Sequence, residues 1–399
     1  MAAERVDTIV LGAGIAGCAL SYHLAGRGVG PVLLYDPRTP AAGATGRAAG
    51  VVTEQLWNSW DVDVARASKN EYAELAARWN PSAYTVNGFV RFTAHREAAR
   101  VLEDAIPRLR QWNVDVRPAG ASELSRAVPW ARFDDLEGAI FSPGDAVVTP
   151  SAMTEIYAEG ARSRGVDVEF GTPFGSLSHD AETWEMTVGR RTVRAARLVV
   201  AAGAWSKRIF ASLGHPLPLA PYRTQAAVLR PPPGGPAPFP SVHDVDLDVY
   251  VRPEDQGRIL AGDGTELIEV DPDRSSGGGD EKFLTHLAES FGTRFPGWAE
   301  AELVRAWAGV CTSTPDRRPF VGPIPGARGL FALTGFNGFG VMRAGGVAQR
   351  LAEYLAVGEG ATAERDALRP VLPERFPAGT PAVAPRPGFT LEGGDDPRF

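Results

Sequence analysis

The sequence predicts an α/β protein of two lobes, one built on a βαβ unit and the other on a large antiparallel sheet. Three observations carry this. The chain has 399 residues, more than one hydrophobic core usually holds. A short apolar run at residues 8–11 passes through the glycine turn "GAGIAG" into a helical pattern, then into a second apolar run, "PVLLYD". Further along, "TQAAVLRP", "DVYVRPE" and "GRILAGD" read as strands of an antiparallel sheet.

The helix after the first glycine turn is expected over residues 15–27, with Ala16, Ala19, Leu20, His23 and Leu24 near one face. A small-residue loop, "AAGATGRAAG", follows the second strand. Helical patterns at 62–79, 96–112 and 150–164 are interspersed with the strand-like runs "GFVRFTA", "VDVEF" and "WEMTVG". "ARLVVAAGAWS" is a buried strand running into a second glycine turn. "LFALTGFNGFGVMRAGGVAQRLAEYL" is strand, third glycine turn and helix. "RPPPGGPAPFP" and "DRSSGGGD" read as exposed loops, and the Pro/Gly-rich tail after about residue 369 as irregular.

Composition excludes several classes of function. Hydrophobic content of 44% and charged content of 22% are those of an ordinary globular protein. A formal net charge of -7 argues against a nucleic-acid or anionic-membrane partner. The 2 cysteines, Cys18 and Cys311, are too few for a disulfide framework or a cysteine-rich metal site. The 6 histidines show no ligand spacing, so no metal is expected. A reducing, cytoplasmic setting fits this cysteine usage. No signal peptide is read, because a strand-like run begins almost at once, and no run approaches the length of a membrane span.

Gly12, Gly14 and Gly17 stand in G-x-G-x-x-G spacing. The first glycine permits a tight turn, the second lets backbone approach a pyrophosphate, and the third lets helix and strand pack closely. The helix N-terminus then presents unpaired N–H groups to the phosphates. Asp36 ends the second strand, where an acid accepts both ribose hydroxyls and repels a 2′-phosphate. The ligand is therefore FAD or NAD. An NAD dehydrogenase would continue with further short βα units. This chain places its small-residue loop straight after Asp36 and adds glycine turns near Gly203 and ahead of its last helix, which points to FAD.

"IVLGAGIAGCALSYHLAGRG", "AGATGRAAGVV", "VVTPSAM", "ARLVVAAGAWSKRI", "YVRPEDQGRILAGD", "TPDRRPFVGPIP" and "LFALTGFNGFGV" occur in this order. In these motifs the chain resembles the D-amino-acid oxidase superfamily, nearest its glycine oxidase, sarcosine oxidase and dimethylglycine dehydrogenase branch. The resemblance covers the chain to about residue 369. It implies a Rossmann-type FAD-binding lobe assembled from segments 1–80, 143–212 and 305–369. A substrate lobe with a large antiparallel sheet is implied over 81–142 and 213–304, and 370–399 is left as a tail.

Carried over by position, Gly12, Gly14, Ile15, Ala16 and Gly17 hold the pyrophosphate and Asp36 the adenosine ribose. Thr45, Gly46 and Arg47 lie along the phosphates and flavin, Phe174 lies near the adenine, and Ala202, Gly203 and Trp205 form the second cofactor turn. Gly335, Phe336, Asn337, Gly338, Phe339, Gly340, Val341 and Met342 pass under the isoalloxazine ring. Backbone donors there would stabilise negative charge at the flavin N1–C2=O edge, as an oxyanion hole does. The implied reaction is oxidation of a C–N bond in a small amine or amino acid, by hydride transfer from the α-carbon to flavin N5, with O2 as acceptor. The flavin supplies the electron chemistry, so no side-chain base is obligatory.

The chain departs from its relatives where they hold the substrate. Glycine-oxidase-like proteins carry a carboxylate-clamping arginine where this chain has Cys311, and the sarcosine-oxidase branch a lysine where it has Met342. Arg343 is the expected replacement anion ligand, against a structural or solvent-facing role; Arg252, Arg223 and Arg91 are weaker candidates. A lysine that helps oxygen react in the sarcosine branch aligns near Leu260, which weighs for a dehydrogenase. Tyr250 is expected to face the substrate cavity, with Trp57, Trp60 and Phe339 as aromatic wall or plain core. Cys311 admits three readings: a thioether to the flavin, a pocket-lining thiol, or packing. FAD is expected to be non-covalent, and Cys18 is read as packing. A disulfide reductase is excluded by the missing cysteine pair. A non-catalytic FAD-binding protein remains the alternative to an enzyme.

Overall fold

The structure is a computed structural model that describes residues 3–180, 182–232, 238–263, 270–274, 277–358, 362–377 and 379–383. Its first sheet grows from β1 (Glu4–Leu11), α1 (Ile15–Gly26) and β2 (Val32–Asp36). β1 pairs in parallel with β2 on one side and with Arg191–Val200 on the other. Asp167–Phe170 extends this parallel core beyond β2, and Leu330–Thr334 joins it beside Arg191–Val200. Antiparallel strands Phe174–His179, Trp184–Val188 and Phe320–Pro323 complete the 8 strands.

Both faces of this sheet are covered, as the near-continuous apolar runs require. Successive side chains of β1 and β2 point to opposite faces. Val10 and Leu34 enter a core shared with α1, Ser59–Trp79, Pro150–Arg162 and Gly340–Val357. Ile9, Leu11, Leu33 and Tyr35 enter a second core with Met186, Phe210 and Phe320. α1 is buried on more than its expected face, because Gly17, Cys18 and Ala19 are small enough for other helices to press against it. Ala16, expected on the inner face, is only half-buried. Cys18 is fully buried, with its Sγ 3.5 Å from the Ala13 carbonyl oxygen.

Among the described residues the second sheet also has 8 strands. Its order is Glu302–Ser313, Ala220–Arg230, Arg258–Asp263, Val249–Glu254, Ser241–Asp244, Phe89–Thr93, Gly138–Ser142 and Arg117–Pro118. All neighbours are antiparallel except Ser241–Asp244 with Phe89–Thr93. Its outer face is packed by Phe283, Leu287 and Phe291 of the Glu281–Arg294 helix and by Trp298. Phe239, expected in an exposed loop, is only 2% exposed and joins this core, where Trp130 meets its ring edge-on. Residues 233–237 of that loop, 275–276 of "DRSSGGGD", and the tail beyond 383 lie outside the described residues.

The strand Glu302–Ser313 pairs along its length with Ala220–Arg230. The expected lobe boundary between residues 304 and 305 therefore falls inside a strand of the second sheet. Hydrogen bonding, invisible in a hydropathy pattern, keeps the strand whole to Ser313.

Arg343 is a correction to the sequence reading. Its side chain is fully buried between two helices and does not reach a cavity. The guanidinium forms an ion pair with Asp61, which is 2% exposed, and donates to the Phe336 carbonyl at 2.8 Å. Asp61 is itself fixed in the first turn of its helix by Asn58, whose side-chain oxygen accepts from the Asp61 N–H at 2.9 Å. Removing one partner of such a pair leaves a buried charge alone. Arg343→Met is therefore expected to lower the unfolding free energy by about 3–5 kcal/mol in urea denaturation, with the double variant Arg343→Met/Asp61→Leu recovering most of it. A loss below about 1 kcal/mol in the single variant would show that the pair carries no structural weight.

Candidate active site

One cavity of about 840 Å³ runs from the glycine turn after β1 to the underside of the second sheet. At its first end the backbone makes room by steric necessity. Gly12 has φ +120°, and a Cβ there would lie 2.5 Å from the Ala201 carbonyl oxygen. A Cβ on Gly17 would collide with the Gly12 carbonyl. Gly14, Ile15 and Ala16 line the cavity, while Gly17 lies behind them as the point of helix–strand contact. The Ile15 N–H donates to Thr45 Oγ1 at 3.2 Å, tying the small-residue loop to the turn.

Asp36 is held against the same turn. Its Oδ2 accepts from the Ala13 N–H and its Oδ1 from the Arg38 N–H, both at 2.9 Å. Each oxygen keeps a lone pair for a ligand hydroxyl. Phe174, 43% exposed, lines the cavity beyond it with its ring 6.4 Å from that of Tyr35. Ala202, Gly203 and Trp205 line it from the second turn, where Arg38 lies over the Trp205 ring. Arg47 lines the middle, and its guanidinium donates to the Ala42 and Gly43 carbonyls at 2.5 and 3.0 Å. Gly46 does not line the cavity; a Cβ there would lie 2.5 Å from the Ala41 carbonyl oxygen, so its role is in the turn.

The third glycine turn closes the far end. Gly335, Phe336, Asn337, Gly338, Phe339, Gly340, Val341 and Met342 all line it. Asn337 has φ +54° and spends its side chain on the fold. Its Oδ1 accepts from the Thr314 N–H at 3.0 Å, and its Nδ2 donates to the Gly335 carbonyl at 2.7 Å. Trp57 and Phe339 meet edge to face at 4.8 Å as an aromatic wall. Trp60 is elsewhere, donating its indole N–H to the Ala367 carbonyl at 2.9 Å.

The second sheet roofs this end. Tyr250 lies over strand Arg258–Asp263, with its hydroxyl against Gly262, where any Cβ would collide with it. Leu260, the position aligned with an oxygen-activating lysine, is buried with Ala226 and Val228 and does not reach the cavity. Tyr222 and Cys311 are cross-strand partners, hydrogen-bonded to each other. The Tyr222 hydroxyl lies close above Gly338. Burial pushes the Cys311 thiol up to about 11, partly offset by the Tyr222 hydrogen bond. Burial first, then the thiol, raises the Tyr222 phenol well above its usual range.

Arg91, Arg223 and Arg252 do not line the cavity. Arg91 is fully buried and donates to the Gln55 carbonyl at 3.3 Å, with desolvation lowering it to about 9. Arg223 pairs with Asp280 at 2.5 Å and Arg252 with Glu254 at 2.7 Å. Among the cavity residues that sequence reasoning missed are Tyr222, His243, Asp248 and Arg317. His243 pairs with Asp248 at 3.3 Å and is the cross-strand partner of Tyr250. Position after the Thr-Pro-Asp turn was a signal for Arg317; strand register, which composition does not reveal, was needed for the others. No described group of His, Cys, Asp and Glu could hold a metal ion, and no described helix is long and apolar enough to cross a membrane.

Comparison with known proteins agrees with this geometry. Residues 7–354 match the DAO family model, described as FAD dependent oxidoreductase. Mitochondrial dimethylglycine dehydrogenase of Rattus norvegicus is 26% identical over 89% of this chain and 43% of its own length. The chain thus spans less than half of that relative. Glycine oxidase of Geobacillus kaustophilus (strain HTA426) is 25% identical over 85% of this chain and 90% of its own. The fold is also that of L-proline dehydrogenase from P. horikoshii, with TM-score 0.85, 22% identity and coverage of 94% and 98% of the two chains. The residues around the cavity suit the cofactor that these likenesses imply: glycines leave backbone bare where a pyrophosphate would lie, and Asp36 offers acceptors to a ribose. The chain belongs to the DAO family of FAD dependent oxidoreductases, and FAD is its cofactor.

Proposed function

We propose that the chain oxidises a C–N bond of an amine or amino acid to the imine. The observation that carries this reading is the single cavity that joins the dinucleotide turn to a chamber roofed by Tyr222, Tyr250 and Cys311. FAD, when bound, supplies the two-electron acceptor for a hydride from the substrate α-carbon. The protein's part is placement and exclusion of water. Gly12, Gly14, Ile15 and Ala16 take the pyrophosphate on an open helix N-terminus, and Asp36 the ribose. The 335–342 turn presents backbone and the start of a long helix to the ring, where fixed dipoles stabilise developing negative charge. Trp57 and Phe339 wall the chamber, and the Tyr250 ring forms part of its roof.

We read FAD as held without a covalent bond. A thioether through sulfur needs a reactive thiolate, and Cys311 is a protonated thiol engaged with Tyr222. O2 is the proposed acceptor. A second reading, a dehydrogenase with another acceptor, is favoured by one observation: no lysine lines the cavity among the described residues.

Anaerobic mixing with a panel of primary, secondary and tertiary amines and amino acids is expected to bleach the flavin band with at least one of them. Failure with every member would sink the enzymatic reading and leave a flavin-binding protein. Admitting O2 after reduction is expected to restore the band within the turnover time; slow return with fast return to an artificial acceptor would establish the dehydrogenase. Gly262→Ala is expected to keep full flavin content and cut kcat/KM by at least about 10-fold, because the new Cβ displaces Tyr250 while strand backbone tolerates alanine. Unchanged kcat/KM would remove Tyr250 from the site. Alkylation of Cys311 by iodoacetamide in the native protein is expected to be slow at pH 8 and to accelerate toward pH 11, as the thiol loses its proton. Rapid labelling at pH 7 would contradict a protonated thiol.

A further inference from the structure

The cavity is joined through a hydroxyl to a set of buried charges behind its wall. Thr53 lines the cavity, on the stretch that leads from the small-residue loop to Trp57. Its Oγ1 accepts from the Gln55 N–H at 3.0 Å and donates to Oδ2 of Asp145. A threonine hydroxyl has one proton and two lone pairs. Asp145 takes the proton and Gln55 one lone pair, so the other lone pair is left for a donor in the cavity.

Strand register sets this contact. Val52 stands opposite Ala146 in an antiparallel pair, which brings the next residues, Thr53 and Asp145, face to face. Asp145 is 1% exposed. Its Oδ1 accepts from the Glu54 N–H at 3.2 Å and lies 3.8 Å from Nζ of Lys69, on the Ser59–Trp79 helix. Lys69 pairs more closely with Glu54, which also pairs with Arg66 at 2.7 Å. Arg91, on the strand Phe89–Thr93, and Tyr84, on the short strand Tyr84–Val86, are near enough for the Asp145 charge to act on them. Burial pushes the Asp145 carboxyl up to about 7, against the opposing pull of the Thr53 hydrogen bond, Lys69 and the Glu54 N–H. A group poised there can take up and release a proton at neutral pH.

We propose that Thr53 and Asp145 take the proton that the substrate's ammonium group loses before its C–N bond is oxidised. This rests on the amine-oxidation reading above. Amines and amino acids arrive protonated on nitrogen, and that proton ties up the lone pair which the imine needs. Hydride transfer itself needs no base; this deprotonation comes before it. The N–H bond of the ammonium breaks as its proton passes to the spare lone pair of Thr53, and the hydroxyl proton of Thr53 passes to Asp145 Oδ2. The amine and Thr53 end neutral, and Asp145 ends as the carboxylic acid. Between turnovers Asp145 gives the proton to water on the side of Lys69, whose side chain is partly exposed. Thr53 is thus the catalytic residue, and Asp145 acts through it.

The test follows flavin bleaching when the FAD-loaded protein is mixed anaerobically with each amine and amino acid of the panel above, from about pH 6 to about pH 10. Thr53→Val removes the hydroxyl and keeps the shape, while Thr53→Ser keeps the hydroxyl. The Val variant is expected to retain flavin and to bleach roughly 10- to 100-fold more slowly at neutral pH. The deficit is expected to shrink toward the alkaline end, where amines lose the proton to water unaided. Thr53→Ser is expected to recover most of the rate, and Asp145→Asn to behave as Thr53→Val does. Infrared spectra of the wild type without substrate are expected to show a carboxylic-acid band that titrates near neutral pH and is missing from Asp145→Asn. A Val-variant deficit equal at every pH would overturn the proposal, as would an infrared spectrum without that band. Wild-type rates in Thr53→Val would also overturn it and would place the base elsewhere in the cavity, at His243 with Asp248. A wild type that no amine bleaches at any pH fails the amine-oxidation reading itself, whereas bleaching with a pH-independent deficit fails this proposal alone.

Discussion

The structure depends on backbone meeting backbone with no side chain between. At one end of the cavity, Gly12 and Gly17 let β1, α1 and the Ala201 strand end converge on a single point. At the other, Gly335 and Gly338 turn the chain beneath Tyr222 and Thr314. A β-carbon at Gly12, Gly17 or Gly335 would collide with the element packed against it and push the two apart. The rest of the cavity is arranged around these contacts. Asp36 is pinned to the first turn by the Ala13 N–H, and Asn337 pins the third turn to Thr314.

Charge serves architecture in most of this chain and chemistry in little of it. Arg343 joins two helices through Asp61 and anchors the third turn through the Phe336 carbonyl. Arg294 ties Asp135 and Asp244 behind the second sheet. Such pairs cost desolvation, which their close ion pairs and hydrogen bonds offset. What remains facing the reacting end is mostly neutral: two phenols, a thiol, and glycine backbone. That setting suits a reaction whose electrons pass to a cofactor and whose protein must orient, dehydrate and recognise.

The parts of this molecule that a sequence reveals are those in which residue type alone enforces geometry. Gly12, Gly14 and Gly17 followed by Asp36 could be placed because a bare turn and an acid at a strand end have few other uses. The same holds for the third turn, whose 8 predicted residues all line the cavity. Arg343 could not be placed, because which face of a long helix turns inward is decided by the helix it packs against. Trp60 went to a backbone carbonyl while Trp57 went to the cavity, a difference of less than one helical turn. Tyr222 and His243 were invisible because cross-strand register places them. The boundary expected between residues 304 and 305 falls inside the strand Glu302–Ser313 for a related reason: its pairing with Ala220–Arg230 leaves no mark in the hydropathy pattern.

The central claim is that one cavity holds the whole of FAD, adenosine end included, and delivers its ring to a substrate chamber. The direct measurement is equilibrium titration of the flavin-stripped protein with FAD and with FMN, followed by quenching of flavin fluorescence. The account predicts one FAD per chain and far weaker binding of FMN, which lacks the adenosine that Asp36 and the first glycine turn would hold. Equal affinity for the two flavins, or no flavin bound at all, would contradict it.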